Sequence, residues 1–195
     1  MKYTKIPEAT FQNIQLNAGV ILTQFAPATA TASDSAILGA TSGGVTFTAQ
    51  PSFTDFGEDI DNCPKNTKEL KVLTEWAITM SGSFVTTTAA QAKRLVGAGD
   101  VDGTDTTKIV PRNDLAQTDF SDLWWVGDYS DKNGNTNGGF VAVHMMNALS
   151  TGGFQIKSGD KAKGTFAFEF TAHYSISAQD TVPFEVYVKA GTDET

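Results

Sequence analysis

The sequence predicts a mainly β protein, a β-sandwich or barrel with one flanking α-helix, long loops and an extended N-terminal arm. Three observations carry this. Apolar and polar residues alternate strictly over several segments, the period of a half-buried strand. One short segment alone combines helix formers with residues suited to cap both ends. Thirteen Phe, three Trp and four Tyr sit in a chain of 195 residues that is only 18% charged, with much of the rest Thr, Ser, Ala and Gly, as β-rich folded chains require.

The elements follow in chain order. Residues 1–17 are polar, carry Pro7 and read as an extended arm. Residues 20–25 form a short apolar strand, and 26–36 a loop of small residues. In 45–50, Val45, Phe47 and Ala49 face one way and Thr46, Thr48 and Gln50 the other, with Pro51 expected to end the strand. A connection of about twenty residues (51–71) follows, long enough to be functional or disordered. Its charges are segregated: Asp55, Glu58, Asp59 and Asp61 first, then Lys65, Lys68 and Lys71. It reads either as a solvated loop or as an intermolecular contact.

Residues 72–86 give the clearest strand, with Trp76, Ile78, Met80, Gly82 and Phe84 on one face and Glu75, Ala77, Thr79, Ser81 and Ser83 on the other. Residues 89–97 are the helix, capped by Thr88 and ended by Gly97. Residues 97–107 are turn-rich, and 108–118 irregular around Pro111. Residues 123–126 form a strand in which Trp124 and Trp125 point to opposite faces, one toward a core and the other toward an interface. Residues 127–139 are a Gly/Asn/Asp loop, and 140–146 a strand apolar on both faces and therefore central. Residues 163–175 alternate again, Phe166, Phe168, Phe170 and Tyr174 against Thr165, Ala167, Glu169, Thr171 and His173. A last strand runs over 183–188, and 191–195 form a polar tail, leaving 18–190 as one domain.

Composition excludes several classes of function. A net charge of −8 with only two Arg, Arg94 and Arg112, is the wrong balance for a protein that displaces counterions from phosphates. The single Cys63 forms no intrachain disulfide and suits a reducing cytoplasm. The N-terminus lacks the apolar run of a signal peptide, and no stretch approaches the roughly 18 apolar residues of a membrane helix.

Enzyme chemistry is not found. His144 and His173 lie in predicted strands without a second ligand at metal spacing, and read as satisfied strand histidines. Cys63, in an acidic loop beside Pro64, is a poor nucleophile because neighbouring carboxylates disfavour its thiolate. The Gly pairs at 43–44, 138–139 and 152–153 lead into no phosphate-binding motif. Residues 131–135 place oxygen side chains as calcium loops do, but Thr136 and Ala142 stand where a Gly and a bidentate Glu are needed, so a hairpin turn is the better account. No metal and no cofactor is expected.

Several long strings carry a family resemblance: residues 38–45, Asp55-Phe56-Gly57-Glu58-Asp59-Ile60-Asp61-Asn62-Cys63-Pro64-Lys65-Asn66, Ile109-Val110-Pro111-Arg112-Asn113-Asp114-Leu115, Leu123-Trp124-Trp125-Val126-Gly127-Asp128-Tyr129, and residues 145–154. Through them the chain, from Tyr3 to Gly191, resembles the major tail proteins, or tail tube proteins, of long-tailed bacteriophages and prophages of Gram-positive hosts. The resemblance implies a β-sandwich of the phage tail tube type, made in the host bacterial cytoplasm and located in the virion tail. Six copies would close into a ring around an inner barrel, and rings would stack into a tube that conducts genomic DNA without binding it specifically. Other partners would be the tape measure, the tail terminator and baseplate or distal tail proteins, with no membrane.

On that resemblance the wet faces of two strands become lumen candidates: Glu75, Thr79, Ser81 and Ser83 with Thr165, Glu169 and Thr171, joined by Thr46 and Thr48. Small side chains leave room, and sparse carboxylates repel phosphates. The bland alternative is an ordinary outer sandwich face. Asp55, Glu58, Asp59, Asp61, Lys65 and Lys68 become the candidate ring-stacking loop, and Trp124 or Trp125 the interface aromatic. The competing function is a monomeric β-sandwich that binds carbohydrate or mediates adhesion.

Overall fold

The computed structural model describes residues 6–129 and 138–192. The predicted turn at 131–135 lies outside them, as do residues 1–5 of the arm and 193–195 of the tail. The chain is mainly β with one helix, as its patterning predicts. Its elements are β1 (Gln15–Leu22), β2 (Ile37–Gly39), β3 (Thr41–Asp55), β4 (Lys71–Phe84), α1 (Ala89–Val96), β5 (Gly99–Val101), β6 (Ile109–Pro111), β7 (Ser121–Tyr129), β8 (Gly139–Ser150), β9 (Gln155–Gly159), β10 (Ala162–Thr171) and β11 (Phe184–Lys189). Every named pairing is antiparallel.

Two sheets form the sandwich. The first has the order β2-β1-β7-β8-β11, and the second runs β3-β4-β10 with β9 beyond β10. β8 joins them: most of it pairs β7 and β11, while Leu149 and Ser150 at its end pair Thr171 and Phe170 of β10. β5 and β6 form a separate two-stranded ribbon.

The main core lies between the sheets. Ile21, Leu123 and Met145 from the first meet Ile78, Met80, Phe84, Phe168 and Phe170 from the second, all essentially inaccessible. These are the apolar faces predicted for residues 72–86 and 163–175. At about 1.5–3 kcal/mol per fully buried large apolar side chain, they fix which side of each strand turns inward. Gly82 belongs to this layer because the Phe168 ring fills its place: a Cβ there would lie 2.7 Å from Phe168 Cζ.

A second core covers the outer face of the first sheet. Residues 23–36 fold back so that Phe25 and Ala36 pack on Leu22, Trp124, Phe140 and Ala142. β8 is therefore apolar on both sides and central, as its sequence predicts. α1 closes one end. Thr88 Oγ1 accepts from the Gln91 N–H at 3.2 Å, Leu95 is buried in the main core, and Gly97 ends the helix at φ 81°.

Several expectations are corrected. Pro51 does not end its strand; β3 continues to Asp55, with Pro51 opposite Trp76. Proline is tolerated because among the described residues β3 pairs with β4 alone, so its other edge needs no N–H at that position. The 51–71 connection is thereby a loop only over 56–70. The arm is not extended throughout: Glu8–Asn13 forms a 3-10 helix and residues 15–17 belong to β1, while Ile109–Pro111 is the short strand β6. His173 and Tyr174 lie beyond the end of β10. Both Trp pack within the chain, on opposite faces: Trp124 in the outer core at 8% exposure, and Trp125 against the main core, its Nε1–H donating to the Ala18 carbonyl at 3.0 Å. They point to the opposite faces that the alternation predicts, Trp124 buried and Trp125 half-buried.

Candidate functional site

Residues paired across an antiparallel ladder project to the same side of the sheet. In the second sheet, Thr46, Ser81 and Glu169 form one row, and Thr48, Thr79 and Thr171 the next. Ser83 pairs Ala167, Gln50 pairs Ala77, and Ser52 pairs Glu75. Thr165 follows on the same side of β10. The structure thus gathers all nine predicted lumen residues onto one face, and none of them is buried. Thr151 adds to it, its hydroxyl 2.8 Å from Thr171 Oγ1 and 3.4 Å from Glu169 Oε1.

The face is not uniformly acidic. β9 brings Lys157 opposite Thr165, a cation that strand-by-strand reading did not place there. Over β3, β4 and β10, the fully paired part of this face carries Glu75 and Glu169 as its charges, among Thr, Ser, Ala and Gln. Both lateral edges are free: among the described residues β3 pairs only β4, and β9 only β10.

Beyond the sandwich, β3 and β4 run on as a hairpin arm. Phe53 pairs Leu73 on the side that carries core residues lower down, but there neither belongs to a core among the described residues, and they are 53% and 46% exposed. Val72, Phe56 and Ile60 are exposed as well. The apolar alternation past Pro51 was the signal for Phe53, and assigning that segment to a loop concealed it. The exposed apolar groups of this part of the chain are thus collected on one arm.

Loop 56–70 at the end of this arm is compact. Phe56 N–H donates to the Leu70 carbonyl at 3.0 Å, closing its base. Asp55 is structural: its carboxylate accepts from the Gly57 N–H at 2.9 Å and the Asn66 N–H at 2.8 Å, bonds that hold its pKa below the ordinary aspartate value, Gly57 contributing most. Asn62 and Asn66 take positive φ, which asparagine tolerates. The loop then presents Glu58, Asp59, Asp61, Lys65 and Lys68 to solvent, with Lys68 paired to its neighbour Glu69 at 3.4 Å.

The histidines are held by hydrogen bonds. His144 stacks on Trp124 with ring centroids 4.0 Å apart, between Asp122 (3.2 Å from Nε2) and Glu185 (3.4 Å from Nδ1). His173 Nδ1 lies 3.2 Å from the Asn147 carbonyl, and Asn147 Nδ2 donates to the His173 carbonyl at 3.1 Å. Among the described residues no group of three or more His, Cys, Asp or Glu is arranged to hold a metal ion, and no helix is long and apolar enough to cross a membrane. Set against known proteins, the sequence matches no family model and has no match among curated proteins.

Proposed function

We propose that this chain is a self-assembling structural protein, the tube subunit of a bacteriophage tail. The observation that carries the reading is the second sheet: one side buried and aromatic, the other small, polar and wet, with both lateral edges unpaired. Such a sheet extends when β3 of one copy meets β9 of the next. This is a heterologous contact, which closes into a ring when the rotation per copy divides the circle. The wet face then lines the ring, and the hydroxyls and two carboxylates of its fully paired part give DNA no cationic partner there, Lys157 and Lys163 standing at its margin. The resemblance supplies the ring of six and the virion setting. The projecting arm, apolar on its sides and charged at its tip, suits contact between rings.

Negative-stain electron microscopy of the purified chain over a concentration series tests the reading. Rings or tubes with an open lumen are expected. A chain that remains monomeric at every concentration, including in the presence of pre-formed tail tips as initiators, is the opposing result and favours the isolated binding module.

A further inference from the structure

Arg94 is the one described Arg or Lys in this acidic chain that is half-buried without a carboxylate partner. Its guanidinium donates to Ser121 Oγ, and burial pushes its pKa below the ordinary arginine value. The carboxylates that share cavity walls with it are committed elsewhere. Asp122 accepts from the Asn147 N–H at 3.1 Å and lies 3.2 Å from His144 Nε2, while Asp119 accepts two bonds from Arg112 at 2.7 and 2.8 Å. Leaving a partly desolvated guanidinium so under-bonded is unfavourable unless an anion reaches it.

A cavity of about 230 Å³ lies beside it, between α1 and the chain around β2. Its polar lining is Thr23, Ser35, Thr88, Gln91 and Arg94, with no acidic residue. Thr88 caps α1, so the cavity meets the positive end of the helix. Gln91 is the second and independent sign: it is 2% exposed, the one buried polar residue among the described residues, and its Nε2 has no acceptor. A guanidinium, hydroxyls and a helix N-terminus line a space below the roughly 300 Å³ of a small-molecule pocket, the size for one side chain, and Gln91, its Nε2 packed close to Gly39, forms part of the wall.

Resting on the assembly reading above, we propose that this cavity receives a carboxylate from a second copy of the chain, presented by the acidic tip of its β3–β4 arm. Glu58, Asp59 and Asp61 are exposed on that tip, and among the described residues no cation pairs with them. The same fold thus carries a half-buried cation without a carboxylate at one place and unmatched carboxylates on a projecting arm at another. Two different patches that complement each other propagate a stack.

Charge reversal in both partners tests the contact by sedimentation of assembled material. Arg94→Glu, and separately Glu58→Lys/Asp59→Lys/Asp61→Lys, should each raise the concentration needed for assembly by about tenfold or more, the loss of one charge-assisted contact per copy. Combining them should bring it back toward wild type. A cross-link covers the case in which Arg94→Glu fails to fold. In a Cys63→Ser background, chains carrying Ser35→Cys mixed with chains carrying Asp59→Cys should oxidise to mixed dimers within assemblies. Wild-type assembly thresholds for the reversed variants, or oxidised assemblies without mixed dimers, overturn the contact while leaving the tube reading in place. A wild-type chain that never assembles overturns both.

Discussion

The double substitution Phe53→Ser/Leu73→Ser separates folding from assembly most cleanly. The two side chains face each other on the projecting part of the β3–β4 arm and are 53% and 46% exposed in the isolated chain. Fully burying a side chain of this size contributes about 1.5–3 kcal/mol, so covering the exposed half of each contributes about 1 kcal/mol, or about 2 kcal/mol for the pair. At 1.4 kcal/mol per tenfold, the concentration at which copies assemble should rise roughly 30-fold. The folded chain itself should lose little, because neither residue belongs to either core. The assay is paired: a dilution series read by sedimentation gives the assembly threshold, and thermal unfolding of the unassembled chain gives stability. A Tm that falls by ten degrees or more with an unchanged threshold would show that these residues support the fold and not a contact. An unchanged threshold with an unchanged Tm would show that they do neither.

Other substitutions probe other links. Glu169→Lys, in the middle of the polar face, should leave the threshold near wild type but make tubes retain DNA, with retention falling steeply as salt rises, log-log slope increasing by about 0.9 for each phosphate engaged; tubes that stay inert to DNA would place this face elsewhere than the lumen. Gly82→Ala drives a Cβ to 2.7 Å from Phe168 Cζ and 3.0 Å from the Gly44 carbonyl. It should destabilise by about 2 kcal/mol, lowering Tm by about 4–8 °C, measured by calorimetry. Asp119 has its pKa held below the ordinary value, first by the Ala116 N–H and then by Arg112. A depressed folded-state pKa contributes stability that is present above the unfolded value of about 3.9 and lost as pH falls through the folded value. Asp119→Asn should therefore lower the urea midpoint at pH 7, with the gap to wild type closing below pH 4; a constant gap would assign the effect to packing alone.

How much was legible in the sequence follows the range of the interactions involved. The wet face was readable because period-two alternation is local: 45–50, 72–86 and 163–175 each declare their faces without knowledge of a partner. The register that joins Thr46, Ser81 and Glu169 into one row is a long-range property, yet it was already constrained, since any pairing that buries Phe47, Met80 and Phe170 together must bring their polar neighbours together on the other side. Lys157 escaped because β9 is short and fully exposed, with no apolar face to mark it. Pro51 misled because proline breaks a ladder only where its N–H is wanted, and whether a strand is an edge cannot be read from the strand itself. Arg94 escaped for a related reason. Its place in a helical segment was clear, but its isolation from carboxylates depends on Asp119 and Asp122 being taken by Arg112 and His144.

The edge of β3 poses a problem that the proposed assembly answers. An unpaired strand edge is a template for indiscriminate pairing, and monomeric sheets protect theirs with inward charges, lysines, bulges or very short strands. β3 is long, fifteen residues, and carries no charged residue before Asp55 at its far end. Its interruptions are Pro51, the register shift between Ser52 and Phe53, and the irregularity near Gly43 and Gly44, both at positive φ; all of them lie outside the stretch from Val45 to Gln50 and leave it open. At the other lateral edge of the same sheet β9 carries Lys157, one of the devices β3 lacks. A chain that worked alone would gain from a lysine on β3 and lose nothing by it. A chain whose β3 pairs with the next copy's β9 would lose the pairing if β3 were guarded. The asymmetry between the two edges is what a ring subunit requires: one edge left open to receive, the other short enough to be received only in one place.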